Sequence, residues 1–329
     1  MFLLGVTTVS PEAAVSETDL KRLIRGEPSD IARNFSGVSS RRISLPFEYI
    51  TATGNSDLLE GWKVATISPT ALGAQAVREL LSKSGVSIKQ VGLMLGDTGT
   101  PYQTCPSEAQ RIMGEFGVKA PAFDLVGGIG AIPHVLFALS RWSEDRLPEY
   151  LVYVSSNTPS QQINYHKDPA SAALFGDAAT ALLISKTGAT AGKKLQVVYA
   201  KFSAEDRRRL PVIIEGSVKL NQDELLSADQ LASNITAELD ALRLFDAKLI
   251  DKAVFIPPQL YAARAAEILT SVGVAGERIV SGVNDIGFSI GASHGVALAK
   301  VWEEINQERP VVLMHCGDGQ RGSVVLEAS

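Results

Sequence analysis

The sequence predicts an α/β protein whose strands and helices interleave along the whole chain. Three observations carry that prediction. The stretch from Ala122 to Trp142, AFDLVGGIGAIPHVLFALSRW, reads as a short apolar strand over Ala122 to Val126, a tight turn at Gly127-Gly128, and a helix. Short apolar runs and helical periods alternate both before this stretch and after it. The 329 residues are 45% hydrophobic and 20% charged, enough apolar material for one large core or two modest ones.

The elements follow in chain order. Met1 to Val9 is a buried strand. Ser16 precedes Glu17-Thr18-Asp19 as a helix start, with Leu20, Leu23 and Ile24 on the apolar face. Residues 33–42, RNFSGVSSRR, have loop chemistry, and the glycine-dotted stretch from Gly54 to Glu60 continues it. Thr66 to Gly85 is a helix, with Ala71, Ala74, Val77, Leu80 and Leu81 at helical spacing. Val91 to Leu95 is a short strand, followed by the loop GDTGTPYQT. Ser107 and Gln110 fit a capping box, ahead of an apolar face of Ala109, Ile112, Met113 and Phe116. In the Ala122–Trp142 stretch, Ile132, Val135, Leu136 and Leu139 share one helical face, and Pro133 falls in the first turn, where its missing N–H is harmless. Tyr150 to Ser155 is a strand, and Ala181 to Ile184 is an apolar run. Gly188 to Lys194 is a small-residue, basic loop suited to a boundary between halves. Strands and helices resume at Val197. Leu231, Ile235, Leu239 and Leu242 place a long helix over Leu226 to Leu244. Then come a strand over Ala253 to Ile256, a helix over Ala262 to Val272 closed by Gly273, a strand over Ile279 to Val283, and a helix over Gly291 to Ile305. Val311 to Met314 and Ser323 to Leu326 close the chain as a strand pair around the turn Gly317 to Gly322.

Composition narrows the function. A net charge of −5 argues against nucleic acid as a partner. Two cysteines, Cys105 and Cys316, are too few for a disulfide framework and point to a cytoplasmic protein. The opening MFLLGVTTVSP has no basic n-region and reads as a strand, not a signal peptide, and no apolar run is long enough for membrane insertion. His134, one turn into its helix among apolar neighbours, reads as a satisfied core or interface histidine. His166 falls in a loop. His294 and His315 lack a cysteine or acidic partner at metal spacing, so no metal site is expected. Gly128-x-Gly130 lacks the third glycine of a dinucleotide fingerprint, and no cofactor is expected. Arg207-Arg208-Arg209 reads as a solvated basic run.

The Ala122–Trp142 stretch also places a residue, Ile129, at a helix N-terminus. Free N–H groups and the macrodipole there favour an anion and would depress the pKa of a thiol. Isoleucine cannot use that environment. The stretch resembles the nucleophile segment of β-ketoacyl-ACP synthase III enzymes in the thiolase superfamily, which read A-F-D-V-x-A-A-C-x-G-F. Asp124 matches the family aspartate, and the catalytic cysteine falls on Ile129. Further on, Phe175-Gly176-Asp177-Ala178-Ala179-Thr180 is similar to the family's F-G-D-G-A-A-A.

The resemblance spans nearly the whole chain and implies a thiolase fold of five layers, αβαβα, built from two pseudo-symmetric halves, 1–190 and 191–329. The family uses a Cys-His-Asn set, a nucleophile plus donors for developing oxyanion charge. The histidine of its H-Q-A-N motif falls on Pro258, in Pro258-Gln259-Leu260-Tyr261. The asparagine of G-N-T-S-A-A-S falls on Phe288, in the run from Gly287 to Ser293. So Ile129, Pro258 and Phe288 neither attack nor hydrogen-bond. Of the family's W-x-x-x-R-x-G-I-R-E-R clamp for coenzyme A, here starting at Ile31, Gly37 and Arg41 persist. An arginine that docks acyl carrier protein falls on Ala263, beside Arg264.

By that resemblance the chain is expected to be a non-catalytic subunit, inactive alone, in fatty-acid-derived or polyketide metabolite biosynthesis. Its expected partner is an active ketosynthase III-like paralogue in a heterodimer, or a second copy of itself. Acyl carrier protein or acyl-CoA would be reached through the partner. Cys105 precedes Pro106-Ser107, a position that in the family lies at the dimer interface facing the partner's acyl tunnel, and it reads as an interfacial packed thiol and not a reactive one. Two alternatives stand beside this: a homodimeric acyltransferase of altered chemistry, with Ser155, Ser156 or Cys105 as nucleophile, and an acyl-binding scaffold in which Ile129 and Phe288 line or fill the old tunnel.

Overall fold

The computed structural model describes residues 1–24, 30–188, 192–204 and 210–329. β1 (Phe2–Val9) is the expected first strand. After β2 (Ala14–Ser16), the Ser16 Oγ accepts from the Asp19 N–H and the Asp19 carboxylate accepts from the Ser16 N–H, which starts α1 (Glu17–Leu23). Residues 33–42 are not a loop. They carry the end of a π-type turn, Ala32–Ser36, and β3 (Ser40–Arg42), which pairs antiparallel with β2. A three-residue strand has no period to read, and this one is held by a distant group: the Arg42 N–H donates to the Ile286 carbonyl. α2 (Phe47–Thr53) follows. The Asp57 carboxylate then accepts from the Leu59 and Glu60 N–H groups, so α3 (Leu58–Val64) begins inside the stretch expected to be loop. α4 (Pro69–Ser84) has Ser68 as its cap, Pro69 in its first turn and Gly85 at φ 68° as its stop.

β4 (Val91–Asp97) leads to α5 (Glu108–Gly114), started by the expected Ser107–Gln110 capping box. β5 (Ala122–Asp124) is shorter than predicted. A 3₁₀ turn over Gly128–Gly130 then opens α6 (Ala131–Ser140). β6 (Tyr150–Asn157), α7 (Pro169–Leu174) and β7 (Ala178–Ser185) follow. Beyond residues 189–191 come β8 (Leu195–Ala204) and the small pair β9 (Val212–Ile214) and β10 (Val218–Leu220). α8 (Ala228–Phe245) has a Ser227–Gln230 capping box, and α9 (Leu249–Lys252) precedes β11 (Val254–Ile256). α10 (Ala262–Ser271) stops before Gly273, at φ 96°. The predicted strand over Ile279 to Val283 is reduced to one bridge, Ile279 with Phe255. The Gly282 N–H donates to Gln259 Oε1 at 2.8 Å, and a Cβ on Gly282 would lie 2.4 Å from the Ser293 carbonyl oxygen. The chain is pressed against a helix start there and cannot ladder. That helix, α11 (Ser293–Val301), is flanked by 3₁₀ turns over Ile290–Ala292 and Trp302–Glu304. β12 (Val311–Cys316) and β13 (Gln320–Ala328) form the expected closing pair.

Nine strands run in the order β11-β12-β13-β8-β1-β7-β6-β4-β5. β1 and β8 touch at just two pairs, Phe2 with Gln196 and Leu3 with Leu195. On either side of that seam the pairing repeats. β6 is parallel to β4 and antiparallel to β7, and β12 is parallel to β11 and antiparallel to β13. The central strands are apolar on both faces, and their alternate residues enter different cores. Val152 and Val154 of β6 join the core under α4 and α5, while Leu151 and Tyr153 join the one holding α6 and α11. Val311 and Leu313 of β12 face that same central layer, and Val312 and Met314 face α8 and α10. The layers are therefore helix, sheet, helix, sheet, helix.

Candidate functional site

The two helices of the central layer begin at turns that lie against each other, Gly128–Gly130 and Ile290–Ala292. A buried carboxylate ties them down. At the end of β4, Asp97 accepts from the Gly127 N–H at 3.0 Å and from Ser155 Oγ at 2.8 Å. Asn157 donates to the same Ser155 oxygen at 3.1 Å. A Cβ on Gly291 would sit 2.2 Å from Asp97 Oδ2, so the second turn needs glycine there. Burial pushes the Asp97 carboxyl up to about 6, against the hydrogen bonds from Ser155 and Gly127.

The residues kept from the expected motifs serve this scaffold. Asp124 accepts from the Glu108 and Ala109 N–H groups at 2.8 and 2.9 Å, holding the start of α5 against β5. Asp177, with no exposed surface, accepts from the N–H and hydroxyl of both Ser44 and Ser160. Burial pushes it, too, up to about 6. A Cβ on Gly176 would lie 1.7 Å from the Ile286 carbonyl oxygen. The Gly176 N–H donates to the Phe288 carbonyl, and the Phe288 N–H to the Leu174 carbonyl. The two glycine-bearing motifs are thus stitched together through the backbone of Phe288.

Ile129, Pro258 and Phe288, where the resemblance places Cys, His and Asn, carry side chains that make no polar contact. Ile129 is 7% exposed and shares a core with Leu260, Tyr261, Phe288 and Ile290. Phe288 is fully buried, with its ring 5.9 Å from that of Phe175. Pro258 is buried and opens a 3₁₀ turn, its carbonyl accepting from the Tyr261 N–H at 3.0 Å. Ile290 holds φ 50°, a left-handed conformation unusual for a β-branched residue, in the turn facing Ile129. Four clefts found among the described residues are lined by none of Ile129, Pro258 and Phe288.

The other candidate nucleophiles are placed as follows. Ser155 donates to Asp97, and Ser156 Oγ donates to the Pro69 carbonyl at 2.6 Å, both fully buried. Cys105 is exposed on the loop before α5, not packed within its own chain, and the peptide bond to Pro106 is cis. His166 lies in a turn, its ring against Gly54. Arg207, Arg208 and Arg209 lie outside the described residues.

The histidines hold what sequence reasoning missed. His134 from α6, His294 from α11 and His315 from β12 converge, with ring centroids 4.9 Å apart for the first and third and 6.3 Å for the second and third. His315, 2% exposed, has an acidic partner after all: its Nε2 is 2.9 Å from Asp318 Oδ1. The spacing of three across the Gly317 turn was the available signal. His134 is half satisfied. Its Nδ1 donates to the Gly127 carbonyl at 3.1 Å, and its Nε2 is buried without a partner. Burial pushes His134 down to about 4 and His294 down to about 3, with the neighbouring His315 adding to both. Among the described residues no group of three or more histidine, cysteine or acidic side chains is placed to hold a metal ion. No helix among them is long and apolar enough to cross a membrane.

No family model matches the chain. The 3-oxoacyl-[acyl-carrier-protein] synthase III of Aquifex aeolicus VF5 matches with a TM-score of 0.76 at 17% identity, covering 99% of both chains. The chain has the thiolase fold. OleA of Xanthomonas, with cerulenin bound, matches with a TM-score of 0.76 at 15% identity, covering 99% of this chain and 96% of that one. In sequence, the β-ketoacyl-[acyl-carrier-protein] synthase III of Roseiflexus sp. (strain RS-1) is 24% identical over 307 residues, 89% of this chain and 87% of that protein. Its relatives at this low identity are thus condensing enzymes of the synthase III kind. The thiolase fold accounts for the seam at β1 and β8 and for the two facing turns.

Proposed function

We propose that the chain is a non-catalytic ketosynthase III-like subunit that pairs with a catalytically competent paralogue in acyl condensation. The observation that carries this reading is the burial of apolar groups at all three positions where the resemblance places Cys, His and Asn. Condensation through that set needs a nucleophile and fixed donors for oxyanion charge, and Ile129, Pro258 and Phe288 supply neither. The hydrogen-bonded frame around them, through Asp97, Asp124 and Asp177, is complete. Retention of the frame without the chemistry suits a protein kept for its surface.

The partner's seat in this reading is the edge of the sheet at β5. That strand has a neighbour on one side, β4, and Phe123 and Val126 beside it are 44% and 63% exposed. An unpaired edge carrying exposed apolar side chains favours pairing with another chain. The exposed loop with Cys105 leads into α5, whose start Asp124 of β5 holds. The division at 190/191 belongs to the same proposal, the first half carrying the partner face. The test is affinity purification from the native host followed by native mass spectrometry. A stoichiometric complex with a related chain that carries Cys, His and Asn is the expected result. Synthase-like turnover of acyl-carrier substrates by the chain alone, free of any partner, would sink the proposal.

A further inference from the structure

The loop that joins β4 to α5 is fixed on both sides and exposed in its middle. On the β4 side, the Gly99 N–H donates to Asn157 Oδ1 at 2.6 Å, and Thr100 Oγ1 accepts from the Thr158 N–H at 2.8 Å. On the α5 side, the Ser107–Gln110 capping box and the Asp124 carboxylate hold the helix start. Gln103, Thr104, Cys105 and Pro106, between them, are all exposed. Tyr102 stands immediately before these four. Its ring stacks on Trp62 of α3, with centroids 4.9 Å apart. Its hydroxyl donates to Gln161 Oε1 at 2.7 Å. Gln161 is fully buried, and its Nε2 donates to Ser44 Oγ at 2.7 Å and to the Ile67 carbonyl at 2.8 Å. Turned over, the amide would set its own oxygen against the Ile67 carbonyl, which cannot donate, so Oε1 is locked toward Tyr102. Burial pushes the Tyr102 hydroxyl up to about 12, so it keeps the proton it gives to Gln161.

We propose that Tyr102 is a positioning residue for partner binding: its hydroxyl, held by Gln161, sets Gln103-Thr104-Cys105-Pro106 in one conformation that the partner subunit meets. The proposal rests on the pairing reading and names the group that prepares the surface for it. Stacking on Trp62 fixes the plane of the ring, and the hydrogen bond fixes where the ring sits in that plane. The four exposed residues therefore leave from a fixed point and arrive at one. A loop ordered before the encounter does not lose its conformational entropy on binding. Tyr102 acts on the partner only through the loop that follows it.

The experiment has two arms, each run on the parent chain, Tyr102→Phe and Thr7→Val. Thr7→Val is the control: it also removes one buried hydrogen bond, to the Ala76 carbonyl, but from β1 and not from the loop. In the first arm the chain alone carries a fluorescent maleimide on Cys105, Cys316 being buried, and time-resolved anisotropy reads the local motion of the loop. Tyr102→Phe should raise the amplitude of that motion at least about twofold, since the held form loses a hydrogen bond, and Thr7→Val should leave it unchanged. In the second arm the unlabelled complex purified from the native host is diluted and followed by native mass spectrometry. Tyr102→Phe should weaken pairing at least about fivefold, the scale of one hydrogen bond, and Thr7→Val should change it less than about twofold. Circular dichroism of each variant checks that it folds. Unchanged loop motion in Tyr102→Phe, or a loosened loop that pairs as tightly as the parent's, overturns the inference and leaves the pairing reading standing. So does an equal response from Thr7→Val, which would mark a general loss of stability. A parent chain that yields no complex overturns the pairing reading itself, and this inference with it.

Discussion

Two regions meet helix α6, and they have opposite chemistry. At its N-terminal turn, where the fold offers free N–H groups and a favourable dipole, the side chains are Ile129, Phe288 and Ile290, packed in one apolar core. One turn further on, His134, His294, His315 and Asp318 form a buried titratable cluster with two unpaired nitrogens. The first region has electrostatics with no group to use them. The second has titratable groups with little solvent to carry their charge. The contrast teaches that backbone placement and side-chain chemistry are set by different contacts: Asp97 ties down the turn at Gly127 whatever side chains stand beside it, while Asp124 holds the start of α5 and Asp177 holds Ser44 and Ser160.

The comparison breaks most readily at Phe288. If its ring is the packing that closes the first region, Phe288→Asn should destabilise the chain by about 3–5 kcal/mol in urea unfolding, from lost burial plus an unpaired amide. A loss below about 1 kcal/mol would mean an open chamber there.

The second region is sharpened by pH. His134 and His294, pushed down to about 4 and about 3 by burial, stay neutral in the folded chain where the unfolded chain takes up protons below 6.5. The stability they contribute is full above that value and is lost as pH falls toward 4 and 3. Asp97 and Asp177, pushed up to about 6 by burial, act in the opposite sense. The folded chain keeps protons that the unfolded chain releases, so their contribution is full below the unfolded value of 3.8 and is lost as pH rises through 6. Between pH 4 and 6 the two pairs oppose each other, and stability should change little. Asp97→Asn removes one opposing group, and that variant should lose on the order of 3 kcal/mol on acidification from pH 6 to 4. A variant as flat as the parent would show that these carboxyls do not titrate as described.

Asp124→Ala tests the frame alone. It frees two N–H groups at the start of α5 and should cost about 2 kcal/mol, read from the shift in the denaturation midpoint. The smallest effect is expected at Ile129→Cys, about 1 kcal/mol in stability. It should yield no condensation, because Pro258 and Phe288 still offer no donor. Measurable condensation by that single variant would mean that Ile129, Pro258 and Phe288 do not hold the roles given to them here.

Much of the fold was legible because its signals are local. The helix starts at Ser16 and Ser107 were readable from neighbouring residues, and the alternation of strands and helices matched the layers observed; the caps at Ser68 and Ser227 were not named from the sequence, although their helices were. β2 and β3 were not legible, being three residues each and stabilised by pairing. The strand expected over Ile279 to Val283 failed for the reverse reason: its composition is right, but Gly282 is pressed onto α11.

By itself the sequence determined which side chains are available: no thiol, imidazole or amide at Ile129, Pro258 and Phe288, and glycines where two turns approach closely. Tertiary structure decided which of the remaining polar groups meet. Asp97 reaches Gly127 and Ser155, and His315 reaches His134 and His294, across separations that no helical or strand period spans. Local periodicity fixes which face of an element is apolar. The packing of one layer on the next sets what lies opposite that face, and so where a buried charge finds its partner.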